Sequence, residues 1–128
     1  MRETPNGNLI DKELTDQILN AAVEVHKVLG PGYLESIYQK AMTSELKQRG
    51  LSIEEQKEIT VTFKGAEVGK HRLDIVVESK VVLELKAVTA FDDIHTAQII
   101  SYLKATGFRV GLLLNFAKET LKIKRIVL

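Results

Sequence analysis

A chain of 128 residues, about 45% of them apolar, suits one domain that hides roughly two-thirds of its unfolded surface. The absence of cysteine excludes disulfides, thiolate zinc sites and cysteine nucleophiles. A net charge of +1 lacks the strongly basic signature of many nucleic-acid binders, and the cluster Lys118, Lys122, Lys124 and Arg125 reads first as a solvated surface.

Met1 to Asn8 is polar, with Pro5 and Gly7, so residues 1–13 read as a flexible N-terminal tail before a single domain over residues 14–128. Thr15 suits a helix N-cap. After it Ile18, Ala21, Ala22, Val25, Val28 and Leu29 recur at helical spacing. Gly30 suits the helix stop, because glycine takes the left-handed cap without steric cost. Gly30-Pro31-Gly32 forms an elbow. A second helix carries Leu34, Ile37, Tyr38, Ala41, Met42 and Leu46 on one face and ends at Gly50.

The period then changes. Ile59, Val61 and Phe63 alternate with Thr60, Thr62 and Lys64, which is strand spacing. A turn region runs from Lys64 to about Gly69. Leu73, Ile75 and Val77 mark a second strand, and Val81 to Ala87 a third after Ser79-Lys80. Asp92 or Asp93 suits the cap of a helix that runs to Thr106 and closes at Gly107. Phe108 to Asn115 is an apolar run suited to a central strand covered on both faces. Leu121 to Leu128 suits an edge strand whose alternation breaks at Arg125. The predicted order is α-α-β-β-β-α-β-β, a central mixed sheet flanked by helices.

The chemistry concentrates around one strand. Glu84 and Lys86 are two apart, so they share a face. One reading is a salt-bridged pair on a solvent-facing sheet surface. Asp74, ten residues before Glu84 across a hairpin, opens another. If Val77 pairs with Val81, Asp74 stands opposite Glu84 and the carboxylates converge. That needs a three-residue loop, Glu78-Ser79-Lys80. A two-residue loop puts Asp74 opposite Leu85 unless a bulge restores the register. Converging carboxylates suit a hard cation such as Mg2+, with the backbone carbonyl of Leu85 as a further ligand. The cation polarises a phosphate and acidifies a bound water. Lys86 orients that water or stabilises charge on the phosphate. His26, His71 and His95 lack zinc spacing. His71, three residues before Asp74, falls by alternation on the opposite strand face, and His95 lies three residues before Gln98.

Asp74 followed by Glu84-Leu85-Lys86 resembles the active-site signature of the PD-(D/E)XK nuclease superfamily. Gly32-Tyr33-Leu34-Glu35-Ser36-Ile37-Tyr38 resembles the name-giving motif of the GxxExxY protein family, which is placed within that superfamily. His26 to Gly32 and Gly111 to Phe116 look like it too, so the resemblance covers roughly Leu14 to Leu128. It implies a restriction-endonuclease-like α/β (α+β) core. It also implies that Glu35 is an acidic residue brought to the metal by an N-terminal helix, a place where the helix dipole alone also favours a carboxylate. Gln98 and Tyr102, four apart on one helix face, match the glutamine and tyrosine that such nucleases place beside the site. A polar stripe on an amphipathic helix is their plainer explanation. Tyr38 reads as packing.

The function expected is metal-dependent hydrolysis of phosphodiester bonds in nucleic acid, DNA in preference to RNA. Mg2+ or Mn2+ is held by Asp74, Glu84, Glu35 and the Leu85 carbonyl. The rival is a catalytically silent nuclease-fold module that binds nucleic acid or a protein partner. Homo-oligomerisation is one way to lengthen its groove. The start of the chain lacks the order of a signal peptide, and no apolar run reaches the roughly 18 residues of a membrane span, so the chain reads as cytoplasmic with no membrane partner.

Overall fold

The structure, a computed structural model, describes residues 10–90 and 92–128, so the expected loose segment Met1 to Asn8 lies outside the described residues. Helix α1 (Lys12–Leu29) begins three residues before the expected cap. Lys12 and Glu13 are therefore helical rather than tail. Thr15 does not cap. Its buried hydroxyl donates back to the Asp11 carbonyl at 2.5 Å, and the Lys12–Asp16 ion pair spans the added turn. Gly30 ends α1 at φ 71°, its N–H donating to the His26 carbonyl. Helix α2 (Glu35–Gln48) follows the elbow. There Gly32 holds φ 113°, a conformation glycine alone adopts readily.

Strands β1 (Ile53–Phe63) and β2 (Ala66–Val77) form a longer hairpin than expected. The turn shrinks to Lys64-Gly65, whose φ values of 51° and 83° suit the twist of a two-residue hairpin loop. Strand β3 (Val81–Lys86), helix α3 (Asp93–Thr106), strand β4 (Val110–Asn115) and strand β5 (Lys122–Val127) complete the order expected from the sequence. The sheet order is β1-β2-β3-β4-β5. The β3–β4 pair is parallel and the other three pairs are antiparallel. A parallel pair needs a crossover, which α3 supplies.

The alternation of β3 and β4 divides the core between the two faces. Ile75, Val77, Leu83, Leu85, Leu112 and Leu114 pack with α1 and α2, while Val76, Val82 and Leu113 pack with Ile99 and Leu103 of α3. Tyr38 stacks on Phe116 with ring centroids 4.5 Å apart, and its hydroxyl donates to the Gly30 carbonyl at 2.5 Å. His26 is buried, its Nε2 2.7 Å from the Lys118 carbonyl, which fastens α1 to the β4–β5 loop. Arg125 departs from the expected solvated cluster. It is half-buried and donates from Nη1 to Thr15 and from Nη2 to the Ile10 carbonyl, so the break in alternation at this position ties β5 to the start of α1. Among the described residues no helix is long and apolar enough to cross a membrane.

Candidate active site

The β2–β3 turn sets the site. Val77 pairs with Val81, Val76 with Val82 and Ile75 with Leu83, the register that the convergence of Asp74 and Glu84 demands. The loop is Glu78-Ser79-Lys80. Glu78 and Ser79 both lie in the left-handed region, at φ 53° and 52°. The loop is braced by the Lys80 N–H on the Val77 carbonyl and by Glu78, which exchanges hydrogen bonds with Ser52 through its backbone N–H and its carboxylate.

The β2–β3 ladder stops at Ile75–Leu83. Beyond it the carboxylates take over from the backbone. The Leu85 N–H donates to Asp74 Oδ2 at 2.9 Å, and the Asp74 N–H approaches Glu84 Oε1 at 3.4 Å. Glu35, first residue of α2, accepts from the Ala87 N–H at 3.2 Å and so stands at the end of the same strand. Asn115 closes the neighbouring strand ends. Its side chain accepts from Val88 N–H and donates to the Val88 carbonyl.

Burial dominates the electrostatics. Glu84 is 5% exposed, and desolvation, followed by the Asp74 charge, pushes its carboxyl up to about 8. Asp74 is raised by burial and by Glu35, against the lowering effects of the Leu85 N–H and Lys86. Tyr102 reaches about 12, through burial and then through the charges of Glu84 and Asp74, so its phenol stays protonated beside them.

Two neighbours were not anticipated. Gln56 sits mid-strand at φ 51°, between the pairs Glu55–Ile75 and Lys57–Leu73. A non-glycine residue there is strained by on the order of 1 kcal/mol. Its amide donates to Gln39 Oε1, and the Gln39 amide reaches the Asp74 carbonyl at 3.4 Å. The alternation of β2 slips at this point, so that Leu73 and Val76 both pack under α3. His71 consequently does not lie away from the site, as strict alternation requires. Its ring stacks on Tyr102, and it feels the charges of Asp74 and Lys86 while burial lowers its pKa. The slip had no glycine or asparagine to announce it.

Glu35, Asp74, Glu84, Lys86 and Tyr102 are thus brought to one place. Gln98 is half-buried one turn before Tyr102, but among the described residues nothing ties its side chain to the carboxylates. His95 forms the capping box of α3, its Nδ1 accepting from the Asp92 N–H. Among the described residues no three histidine or acidic side chains already close on a common point fit for a metal. The donor chemistry nevertheless fits a hard cation. The donors are carboxylate oxygens, and a cation between Asp74 and Glu84 relieves the desolvated charge that raises both.

A five-stranded mixed sheet flanked by helices, with an acidic pair and a lysine where two strands part, defines a restriction-endonuclease-like α+β domain. The chain belongs to the PD-(D/E)XK nuclease superfamily, whose sequence model matches residues 12–126. The solved structure of SSO0001 superposes with a TM-score of 0.58 at 18% sequence identity, over 96% of this chain and 61% of that one. At that identity the likeness shows the fold alone, and this chain spans less than two-thirds of the other's length. No curated protein matches the chain.

Proposed function

We propose that the chain is a divalent-metal-dependent nuclease of the GxxExxY kind, cutting phosphodiester bonds in nucleic acid, with DNA as the preferred substrate, in the cytoplasm. The observation that carries this reading is the pairing of buried Glu84 with half-buried Asp74 beside Lys86, held at the parting of β2 and β3 and costly without a counter-charge. Asp74, Glu84, Glu35 and the Leu85 carbonyl hold Mg2+ or Mn2+, which when bound polarises the phosphate and acidifies a water. Lys86 orients the attacking water and faces the charge that grows on the phosphate. Tyr102 keeps its proton and offers a donor to a phosphate oxygen, with Gln98 next to it on the helix. The motif divides its labour: Gly32 supplies the turn, Glu35 reaches the site, and Tyr38 anchors the helix through Gly30 and Phe116. Self-association lengthens the groove available to a duplex.

The test is cleavage of labelled single- and double-stranded DNA and RNA with Mg2+, Mn2+ or EDTA, beside Glu84→Ala and Lys86→Ala. Cleavage that needs metal and vanishes in both folded variants supports the reading. Equal activity in parent and variants overturns the site. Metal binding without cleavage of any substrate favours the silent binding module.

A further inference from the structure

Tyr102 presents a phenol to the carboxylate pair, yet among the described residues its hydroxyl hydrogen-bonds to no other group. Its side chain has two torsions to fix, and α3 supplies no neighbour bonded to that hydroxyl. What the ring does have is His71. The imidazole lies 4.0 Å from the phenol ring, centroid to centroid, at an interplanar angle of 18°. His71 belongs to the part of β2 beyond the last β2–β3 pair, where the long hairpin approaches α3.

The nitrogens of His71 explain little. Its Nε2 is buried and, among the described residues, has no hydrogen-bond partner. A buried ring nitrogen left without a partner is a cost. What it offers is a flat face of the right size in the right place. Such aromatic pairs prefer offset-stacked geometries that resist rotation.

We propose that His71 is a positioning residue: its ring is the backing plate that holds the Tyr102 phenol beside the Asp74–Glu84 pair, and it acts through its shape rather than its nitrogens. The consequence for cleavage rests on the nuclease reading above, whereas the structural consequence does not. Among the described residues His71 makes no hydrogen bond to either carboxylate. It works through Tyr102, and a flat apolar ring at position 71 does the same work.

The test has two arms. In the first, 3-fluorotyrosine is incorporated, and 19F NMR follows the three tyrosines, with Tyr102 assigned by Tyr102→Phe. His71→Ala is expected to shift and broaden the Tyr102 resonance while leaving Tyr33 and Tyr38 in place, and His71→Phe to restore it. An unmoved Tyr102 resonance in His71→Ala overturns the proposal, as does a resonance that His71→Phe fails to restore. A general collapse of all three resonances in His71→Ala passes the decision to the His71→Phe protein, whose Tyr102 resonance must match the parent's. In the second arm, His71→Ala is expected to lower kcat by roughly 10- to 100-fold, the scale of a misplaced group, with KM nearly unchanged. His71→Phe should recover most of that loss, and His71→Ala should cost nothing further in a Tyr102→Phe background. His71→Phe as inactive as His71→Ala overturns the shape argument. A parent protein that cuts nothing sinks the nuclease reading, while the 19F arm still decides whether His71 holds Tyr102.

Discussion

Beneath α1 and α2 the sheet is sealed by apolar contact, with Ile18, Tyr38, Met42, Leu83 and Phe116 fully buried. Beneath α3 the apolar cluster is smaller, and beside it the fold buries Glu84 and half-buries Asp74 and Lys86. The first face gains its stability from the apolar groups it hides. The second holds groups that water would solvate better. The difference teaches that stability and chemistry are divided between the two sides of β3, along which successive residues alternate: Leu83 and Leu85 serve one side, Glu84 and Lys86 the other.

If that division holds, substitutions on the two sides should behave oppositely. The largest effect is expected from Glu84→Gln or Asp74→Asn, which should cut metal-dependent cleavage by about 10³-fold or more, the scale on which loss of a focused electrostatic group acts. Either variant should melt no lower than the parent at neutral pH, because each puts a neutral group of the same shape where burial already disfavours the charged form. Cleavage assays and thermal denaturation on the same samples check this, and a large fall in melting temperature would break the comparison. Phe116→Ala should do the reverse. Losing a buried aromatic stacked on Tyr38 should cost about 3–5 kcal/mol, a fall of roughly 10–20 °C in Tm, while the fraction that stays folded keeps its metal dependence.

A third expectation concerns pH. The Glu84 carboxyl is raised from 4.5 to about 8 in the folded state, so its proton is held more tightly there than in the unfolded chain. Its stabilising effect is complete below about pH 4.5 and is lost as pH rises through about 8, with a slope of at most about 1.4 kcal/mol per pH unit. Asp74, also raised, acts in the same sense. Melting curves between pH 5 and 9 should show this decline in metal-free parent, a flatter profile in Glu84→Gln, and a gain from Mg2+ that grows with pH. The smallest effect sharpens the picture of α3. A Cβ on Gly111 would meet Ile99 side-chain carbons at 2.6 and 2.8 Å, so Gly111→Ala should lift the helix slightly and cost about 1–3 kcal/mol in denaturant titrations, without touching the carboxylates.

Much of this was legible in the sequence where a single physical rule governs. Helical spacing gave α1 and α2, Asp92 or Asp93 together with Gly107 bracketed α3, and the apolar run marked β4 as central. The pairing of Asp74 with Glu84 followed from counting residues across one turn. The start of α1 was misplaced because the Thr15 hydroxyl bonds backward within the first turn instead of capping it. The length of the β1–β2 hairpin was missed because polar residues such as Glu54, Lys57 and Lys70 fill strands that lean on little else and show weak alternation. His71 was missed for a tertiary reason. The break in alternation at Asp74 depends on Gln56, far away in sequence and of a type that seldom takes positive φ.

The turn at Glu78-Ser79-Lys80 has a consequence for how this gene can change. Surface loops are where homologous chains ordinarily gain and lose residues without penalty. Here a one-codon deletion would leave a perfectly good hairpin but shift the partner strand by one step, turning Glu84 toward the oily side and Leu85 into the cleft. In a library of single-residue deletions, this exposed loop should therefore be as intolerant as the interior, while Lys64-Gly65 at the far end of the neighbouring hairpin is free to vary in length.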